Sequence, residues 1–149
     1  MADLTGQVAF ITGAGSGIGR GIAERLAADG ADVCVSDIDR EAAEETAALV
    51  QRAGRKALVA VANVASDEQI QSAAAACASG LGRLDIAVAN AGIARGGSVL
   101  DMALKEWQDQ NDINLTGVFL TLQALSLIYT SVSTRRYATS YAVLCLKKK

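Results

Sequence analysis

The fold class that this sequence predicts is α/β: a doubly wound parallel sheet covered by helices on both faces, a three-layer α/β/α arrangement. Three observations predict it. Four short apolar runs recur along the chain, helical patterns separate them at about thirty-residue spacing, and the 149 residues contain no proline and no linker-like stretch. Continuously apolar, β-branched runs suit strands covered on both faces, and parallel strands need a crossover between them, usually a helix.

The runs are QVAFIT (Gln7 to Thr12), ADVCVSD (Ala31 to Asp37), KALVAVANV (Lys56 to Val64) and LDIAVANAG (Leu84 to Gly92). In the first helical segment Ile18, Ile22 and Leu26 recur every fourth residue, with Arg20, Glu24 and Arg25 on the other side and Gly30 closing it. The second, Arg40 to Arg52, starts with Glu41, Glu44 and Glu45, ends on Arg52 and stops at Gly54, as the helix dipole prefers. The third opens on SDEQ, with Ser66 at the N-cap and Gln69 three residues on, and continues through the alanine-rich SAAAACA as helix filler. Strand, helix, strand, helix in this order makes βαβ units in one domain.

Composition narrows the function classes. With 51% hydrophobic and 20% charged residues the chain can bury a real core. A formal charge of -2, with lysines and arginines dispersed, argues against a nucleic-acid partner. The terminal Lys147, Lys148 and Lys149 read as a solvated tail. No apolar run reaches the length of a membrane span, and MADLTGQ carries no targeting signal, so no membrane partner is expected and the default location is the cytoplasm. Cys34, Cys77 and Cys145 are odd in number, far apart and in apolar settings, which suits buried thiols in a reducing compartment. The absence of histidine leaves metal and His-based nucleophilic chemistry poorly supported, and no metal site is expected.

Glycines mark the first strand-to-helix turn. A bare GxxxGxG is weak evidence in a chain with 14 glycines, but here it follows Thr12 and falls between the first strand and the first helix, where a Rossmann unit turns. Gly13 permits the tight turn, Gly17 lets backbone approach a pyrophosphate, and Gly19 lets helix pack against strand, while the helix N-terminus offers unpaired N–H groups to the anion. Asp37 ends the second strand, where a carboxylate accepts from both hydroxyls of an adenosine ribose and repels a 2′-phosphate, so NAD is favoured over NADP. Arg40 is a mild counter-signal, either offsetting that repulsion or serving as a surface residue at a helix start.

TGAGSGIG (Thr12 to Gly19), NV (Asn63 and Val64), NAG (Asn90 to Gly92) and INLTGVF (Ile113 to Phe119) together resemble the successive signatures of the short-chain dehydrogenase/reductase family, over about residues 5 to 124. The resemblance implies an NAD(P)-dependent oxidoreductase acting on a small alcohol or carbonyl compound. By it, Ser16 and Ile18 sit against the cofactor's phosphates and ribose, and Asn63 and Val64 flank the adenine. Family members more often carry Asp at the first of these two positions, and an amide there can also accept from the adenine amino group. Asn90, Ala91 and Gly92 resemble the stretch lining the cofactor and steadying the central sheet. Asn114 resembles the catalytic asparagine that holds a water in a proton relay; a polar residue kinking a helix is the alternative.

The family's chemistry also uses a Tyr as general acid/base, a Lys four residues later, and a Ser that orients the substrate oxygen. Bringing a phenol from about 10 to about 7 takes roughly 4 kcal/mol of preferential stabilisation, which the lysine supplies. Four residues after Tyr129, Tyr137 and Tyr141 stand Ser133, Tyr141 and Cys145, so no YxxxK exists in this chain. Residues 1 to 124 therefore read as a dinucleotide-binding domain and 125 to 149 as a divergent tail, in which Ser126, Ser131, Ser133 and Ser140 are candidates by residue type only. By the resemblance, the last strands and one subunit-contact helix are wanting. The sheet is then expected to be incomplete at one edge, and the helix with Trp107 and Leu115 to expose apolar surface.

Two expectations stand: an oxidoreductase of the family, or a non-catalytic NAD-binding module that binds without transferring hydride, with the chain as written expected to be inactive. A methyltransferase on the same fold is disfavoured by NAG and INLTG. Oligomeric state is open, a homo-oligomer being one option.

Overall fold

The computed structural model describes residues 3–131. In chain order its elements are β1 (Val8–Thr12), α1 (Gly17–Ala28), β2 (Asp32–Asp37), α2 (Arg40–Arg52), β3 (Ala57–Val61), α3 (Asp67–Leu81), β4 (Ile86–Val88), α4 (Leu104–Asn111), a π-helical turn (Asp112–Thr116) and α5 (Gly117–Ser131). The four strands are parallel in the order β3-β2-β1-β4, so the chain reverses its direction of winding beside β1. Each connection carries a helix, as parallel pairing requires.

Alternation along each strand divides the core into two layers. Ala9, Ile11, Val33 and Val35 point to one face, where Ala23 and Ala27 of α1 and Ala43, Ala47 and Val50 of α2 meet them. Val8, Phe10 and Cys34 point to the other, against Ile70, Ala74 and Cys77 of α3 and Ala124 and Leu125 of α5. Both faces of β1 and β2 are dry, which is why their sequences are apolar without interruption. Small alanines on the inner faces of α1, α2 and α3 let the helices lie close to the sheet. Cys34 and Cys77 are both free and buried; Cys145 lies outside the described residues.

Two strands are shorter than the apolar runs that predict them. The third run extends to Val64, but β3 ends at Val61; after Ala62 donates its N–H to Asp37, the Asn63 side chain caps a turn. The fourth begins at Leu84, but β4 spans Ile86–Val88. At its start Asp85 Oδ2 takes the N–H of Val8 at 2.9 Å, and at its end Asn90 binds the β1 terminus instead of continuing the ladder. Ser66 caps α3 as expected, its Oγ accepting the Gln69 N–H, but the Gln69 side chain reaches Asn63, not Ser66. On the outer side of β4 no further strand pairs among the described residues. No described helix is long and apolar enough to cross a membrane. α5 runs without a break past Ala124, with Leu125 buried beside it.

Candidate functional site

A cleft of about 390 Å³ opens at the carboxyl ends of the strands, beside the point where the winding reverses. Gly13, Ser16, Gly17, Ile18 and Gly19 from the first turn, Asp37, Asn63 and Val64 from the ends of β2 and β3, and Asn90, Ala91 and Gly92 after β4 all line it. Ligands of open α/β sheets bind at such a switch point because loops diverge there and leave backbone donors exposed.

The glycine turn is built for close approach on both sides. Gly13 has φ +62°, and a Cβ there would lie 2.7 Å from the Cα of Ala91, so a side chain would force the β4 loop away. Gly17 has φ +52° with nothing within 4 Å of its would-be Cβ: the space beyond it is the cleft. α1 makes its first turn with Arg20 N–H donating to Ser16 carbonyl at 3.1 Å, and the Ser16 side chain makes no cap. The N–H groups of Gly17, Ile18 and Gly19 precede that first bond and stand at the positive end of the helix, where backbone donors can meet negative charge.

Asp37 couples the turn to the sheet. Its Oδ2 accepts the Gly15 N–H at 2.8 Å and its Oδ1 the Asp39 N–H at 3.0 Å. A carboxylate has about four acceptor positions, so both oxygens keep capacity toward the cleft. Among the described residues Asp37 is the one charged residue in the lining. Arg40 is not among the lining residues; it pairs with Glu44 at 3.6 Å on the surface.

Behind the turn lies a clasp that sequence reading places elsewhere. Arg20, assigned by periodicity to the outer side of α1, donates through Nε to the Gly15 carbonyl and to Thr46 Oγ1, both at 3.0 Å, and pairs with Glu45 at 2.9 Å. Thr46 is fully buried in α2 and donates to the same carbonyl or to Ala42. The available signal was a hydroxyl on the apolar stripe of Ala43, Ala47 and Val50. Ile38, Ala62, Ile93 and Ile113 also line the cleft and were not foreseen; their signal is position alone, each being adjacent to a predicted residue.

Across the cleft, Thr12 and Asn90 lock β1 to the β4 loop. Buried Thr12 accepts through Oγ1 from the N–H groups of Asn90 at 3.1 Å and Ala91 at 3.2 Å, while Asn90 Nδ2 donates to the carbonyls of Thr12 and Gly13. Asn114 lies in the π-helical turn, so the helix deformation and the polar side chain coincide. Its Oδ1 accepts the Ile93 N–H and its Nδ2 donates to the Ile93 carbonyl, both at 2.8 Å. Gly92 packs closely beside it: a Cβ there would lie 3.1 Å from Asn114 Oδ1, so the amide would have to give by a few tenths of an ångström. Tyr137, Tyr141, Ser133, Ser140 and the terminal lysines lie outside the described residues, as do the side chains of Tyr129 and Ser131.

Comparison with known proteins agrees with this geometry. A family model described as short chain dehydrogenase matches residues 7–132. The chain is 40% identical over 131 residues to the 2,5-dichloro-2,5-cyclohexadiene-1,4-diol dehydrogenase of Sphingobium indicum, covering 86% of this chain and 51% of that protein. It is equally 40% identical over 127 residues to a 3-oxoacyl-[acyl-carrier-protein] reductase of Synechocystis, covering 85% and 51%. Among solved structures, the carveol dehydrogenase of Mycobacterium avium in complex with NAD superposes with TM-score 0.82 at 39% identity, over 88% of this chain and 52% of that one. The chain thus spans about half the length of the relatives it matches.

Proposed function

Because this chain belongs to the short chain dehydrogenase family, we propose that its cleft holds a nicotinamide dinucleotide, NAD in preference to NADP, and that the 149 residues by themselves bind it without transferring hydride. The observation that carries the binding half is the convergence, in one cleft, of a helix N-terminus fronted by the open space at Gly17 and a carboxylate at Asp37. The donor set fits the group. N–H donors at the start of α1, with Ser16 and Ile18, suit the two phosphates; Asp37 suits the ribose hydroxyls; Asn63 and Val64 suit the base; Asn90, Ala91 and Gly92 form the wall along which the rest extends. A 2′-phosphate would meet Asp37, with no cation among the described lining residues to offset it, and this supports NAD.

When bound, the nicotinamide ring supplies a hydride acceptor or donor. The chain's own residues must then move a proton, and here they fall short: no lysine follows a tyrosine by four residues to lower a phenol's pKa. Asn114 holds the Ile93 backbone and is the one relay residue of the family present on this half.

Titration of NADH and NADPH fluorescence, followed by a turnover assay with a panel of small alcohols and ketones, tests both halves. NADH binding without turnover is expected. No binding of NADH overturns the first half. The second reading, a working oxidoreductase, is favoured by the names of the relatives, which are dehydrogenases and reductases. Turnover abolished by Tyr141→Phe would establish it.

A further inference from the structure

β3 closes one side of the sheet, and among the described residues it pairs with β2 alone. The Lys56 carbonyl accepts the Val33 N–H and the Ala62 N–H donates to the Asp37 carbonyl, so the even-numbered residues of this stretch turn their backbone groups toward β2. Ala57, Val59 and Val61 therefore turn N–H and C=O outward, with no described strand to meet them. Natural edges are blunted by charge, proline or a bulge. β3 reads ALVAV, pairs without a break in register and leaves Val61 39% exposed, so it carries none of these devices.

The edge is flanked by a cation at one end and an anion at the other. Leu58 and Ala60 pack on the face that α3 covers, and Lys56, two residues before Leu58, lies on that same face. Lys56 is exposed, and among the described residues only its backbone N–H is bonded, to Asp32 Oδ1. At the far end Glu68 of α3, also exposed and unpaired among the described residues, lines a groove of about 440 Å³ with Ala60, Val61, Gln69, Ser72 and Ala76. Lys56 and Val61 stand five steps apart along the strand, about 16 Å, so the two charges do not meet within one chain.

We propose that the outer edge of β3 pairs with β3 of a second copy of this chain, antiparallel, about a twofold axis at Val59. A twofold axis normal to the sheet reverses the strand direction and sets Val59 against Val59 of the partner subunit and Ala57 against the partner's Val61. All of these residues turn their backbone groups outward, so each opposed pair exchanges both N–H···O bonds. The same rotation sets Lys56 opposite the partner's Ala62, on the shared α3 face and at the mouth of the partner's groove. There its aliphatic stem lies along the partner's Ala60 and its ammonium meets the partner's Glu68, and symmetry makes this pair twice. The charges select the occupant: an edge with a cation at one end and an anion at the other is complementary to an antiparallel copy of itself. So short an edge buries less than a standard interface, and the dimer is weak and salt-sensitive. The inference is independent of what the cleft binds.

Sedimentation velocity of the full chain across the micromolar range, at low salt, measures the dimer Kd. Lys56→Glu and Glu68→Lys alter exposed side chains that hold nothing else among the described residues, so the fold is kept. Each is expected to weaken the dimer about tenfold, because a surface pair that occurs twice turns from attraction to repulsion. The double variant restores the pair with its signs exchanged and is expected to return Kd to within about threefold of the parent. Val59→Pro removes the N–H at the axis, which faces away from β2, and is expected to leave monomer at every concentration. If the proline variant does not fold, the charge exchange decides the matter. A parent that is monomeric throughout overturns the proposal. So does a dimer unmoved by the single reversals, which would place the contact elsewhere, such as the apolar side around Trp107 and Phe119. Single reversals that weaken the dimer without recovery in the double variant overturn it as well.

Discussion

Three glycines on one helix separate binding from folding. Gly17, Gly19 and Gly21 all lie in α1, two residues apart, yet an added methyl group meets something different at each. At Gly21 it meets nothing within 4 Å on an exposed helix surface. Gly21→Ala should stabilise the chain by about 0.5–1 kcal/mol through helix propensity alone, raising Tm by about 2–4 °C. At Gly19 the methyl group would run into the Gly13 carbonyl and lie 2.6 Å from Asn90 Nδ2. Gly19→Ala must displace backbone and break the Asn90 bonds to Thr12 and Gly13, a loss of about 3–5 kcal/mol. Gly17 is the informative case, because its φ is +52° and the space ahead is empty of protein atoms. Alanine there should cost only about 1–2 kcal/mol of backbone strain. The methyl group would nevertheless occupy the approach to the N–H groups at the start of α1. Losing a single hydrogen bond to a charged phosphate is worth about 1.5–3 kcal/mol, or about ten- to a hundredfold in Kd. Urea denaturation and NADH fluorescence titration on the same three variants measure both effects. Gly17→Ala binding NADH within threefold of the parent would refute the assignment of the helix N-terminus as the anion seat. Gly17→Ala as unstable as Gly19→Ala would refute the geometry of the turn.

Asp37→Ala removes the acceptor of the Gly15 and Asp39 N–H groups; it should lower stability by about 1–3 kcal/mol, weaken NADH at least tenfold in fluorescence titration, and shift the NADH-to-NADPH preference toward NADPH. Asn114→Ala leaves both backbone groups of Ile93 unpaired, so amide exchange at Ile93 should accelerate while stability falls by about 1 kcal/mol in urea. Cys34 and Cys77 face each other across the second core layer, and their mutual hydrogen bond, with burial, pushes the Cys34 thiol far above the ordinary range. Peptide mapping after iodoacetamide treatment near neutral pH should find both unmodified in the native chain and modified in urea, since only the thiolate reacts.

How much of this was legible follows from where each partner sits in the chain. β1, α1, β2 and α2 could be read because their signals are local: apolar period, capping residues and glycines at fixed offsets. The cleft lining could be read because the same turns carry it. Sequence reading overran β3 and β4 because Asn63 and Asn90 stop them with side-chain bonds, and the partners of Asn90, Thr12 and Gly13, lie far back in the chain. For the same reason Arg20 went to the wrong side: its helix position is outward, but its reach is long enough to curl back to Gly15 and across to Thr46 on α2. Gln69 stands three residues after Ser66, at capping-box spacing, and only the fold shows it passing over Ser66 to Asn63. Periodicity reports which face a Cα belongs to; it does not report where the end of a long side chain finds its acceptor.

The apolar surface expected around Trp107 and Leu115 is present, and it bears on whether binding is separable from turnover. Trp107 is 57% exposed, Leu115 68% and Phe119 60%. α5 contains no charged residue from Gly117 to Ser131, the composition of a helix covered on all sides. Among the described residues only one side is covered, where Thr121, Ala124 and Leu125 meet the core. The cleft is built from other parts: β1, the start of α1, and the ends of β2, β3 and β4, whose core contacts lie on the inner faces of α1, α2 and α3. Phe119→Gln should therefore leave the NADH Kd within twofold and stability within about 1 kcal/mol, while reducing the binding of an apolar dye such as ANS. Loss of NADH binding in that variant would show that the exposed helix and the cleft are one cooperative unit, and the first half of the fold could not then act as a binding module by itself.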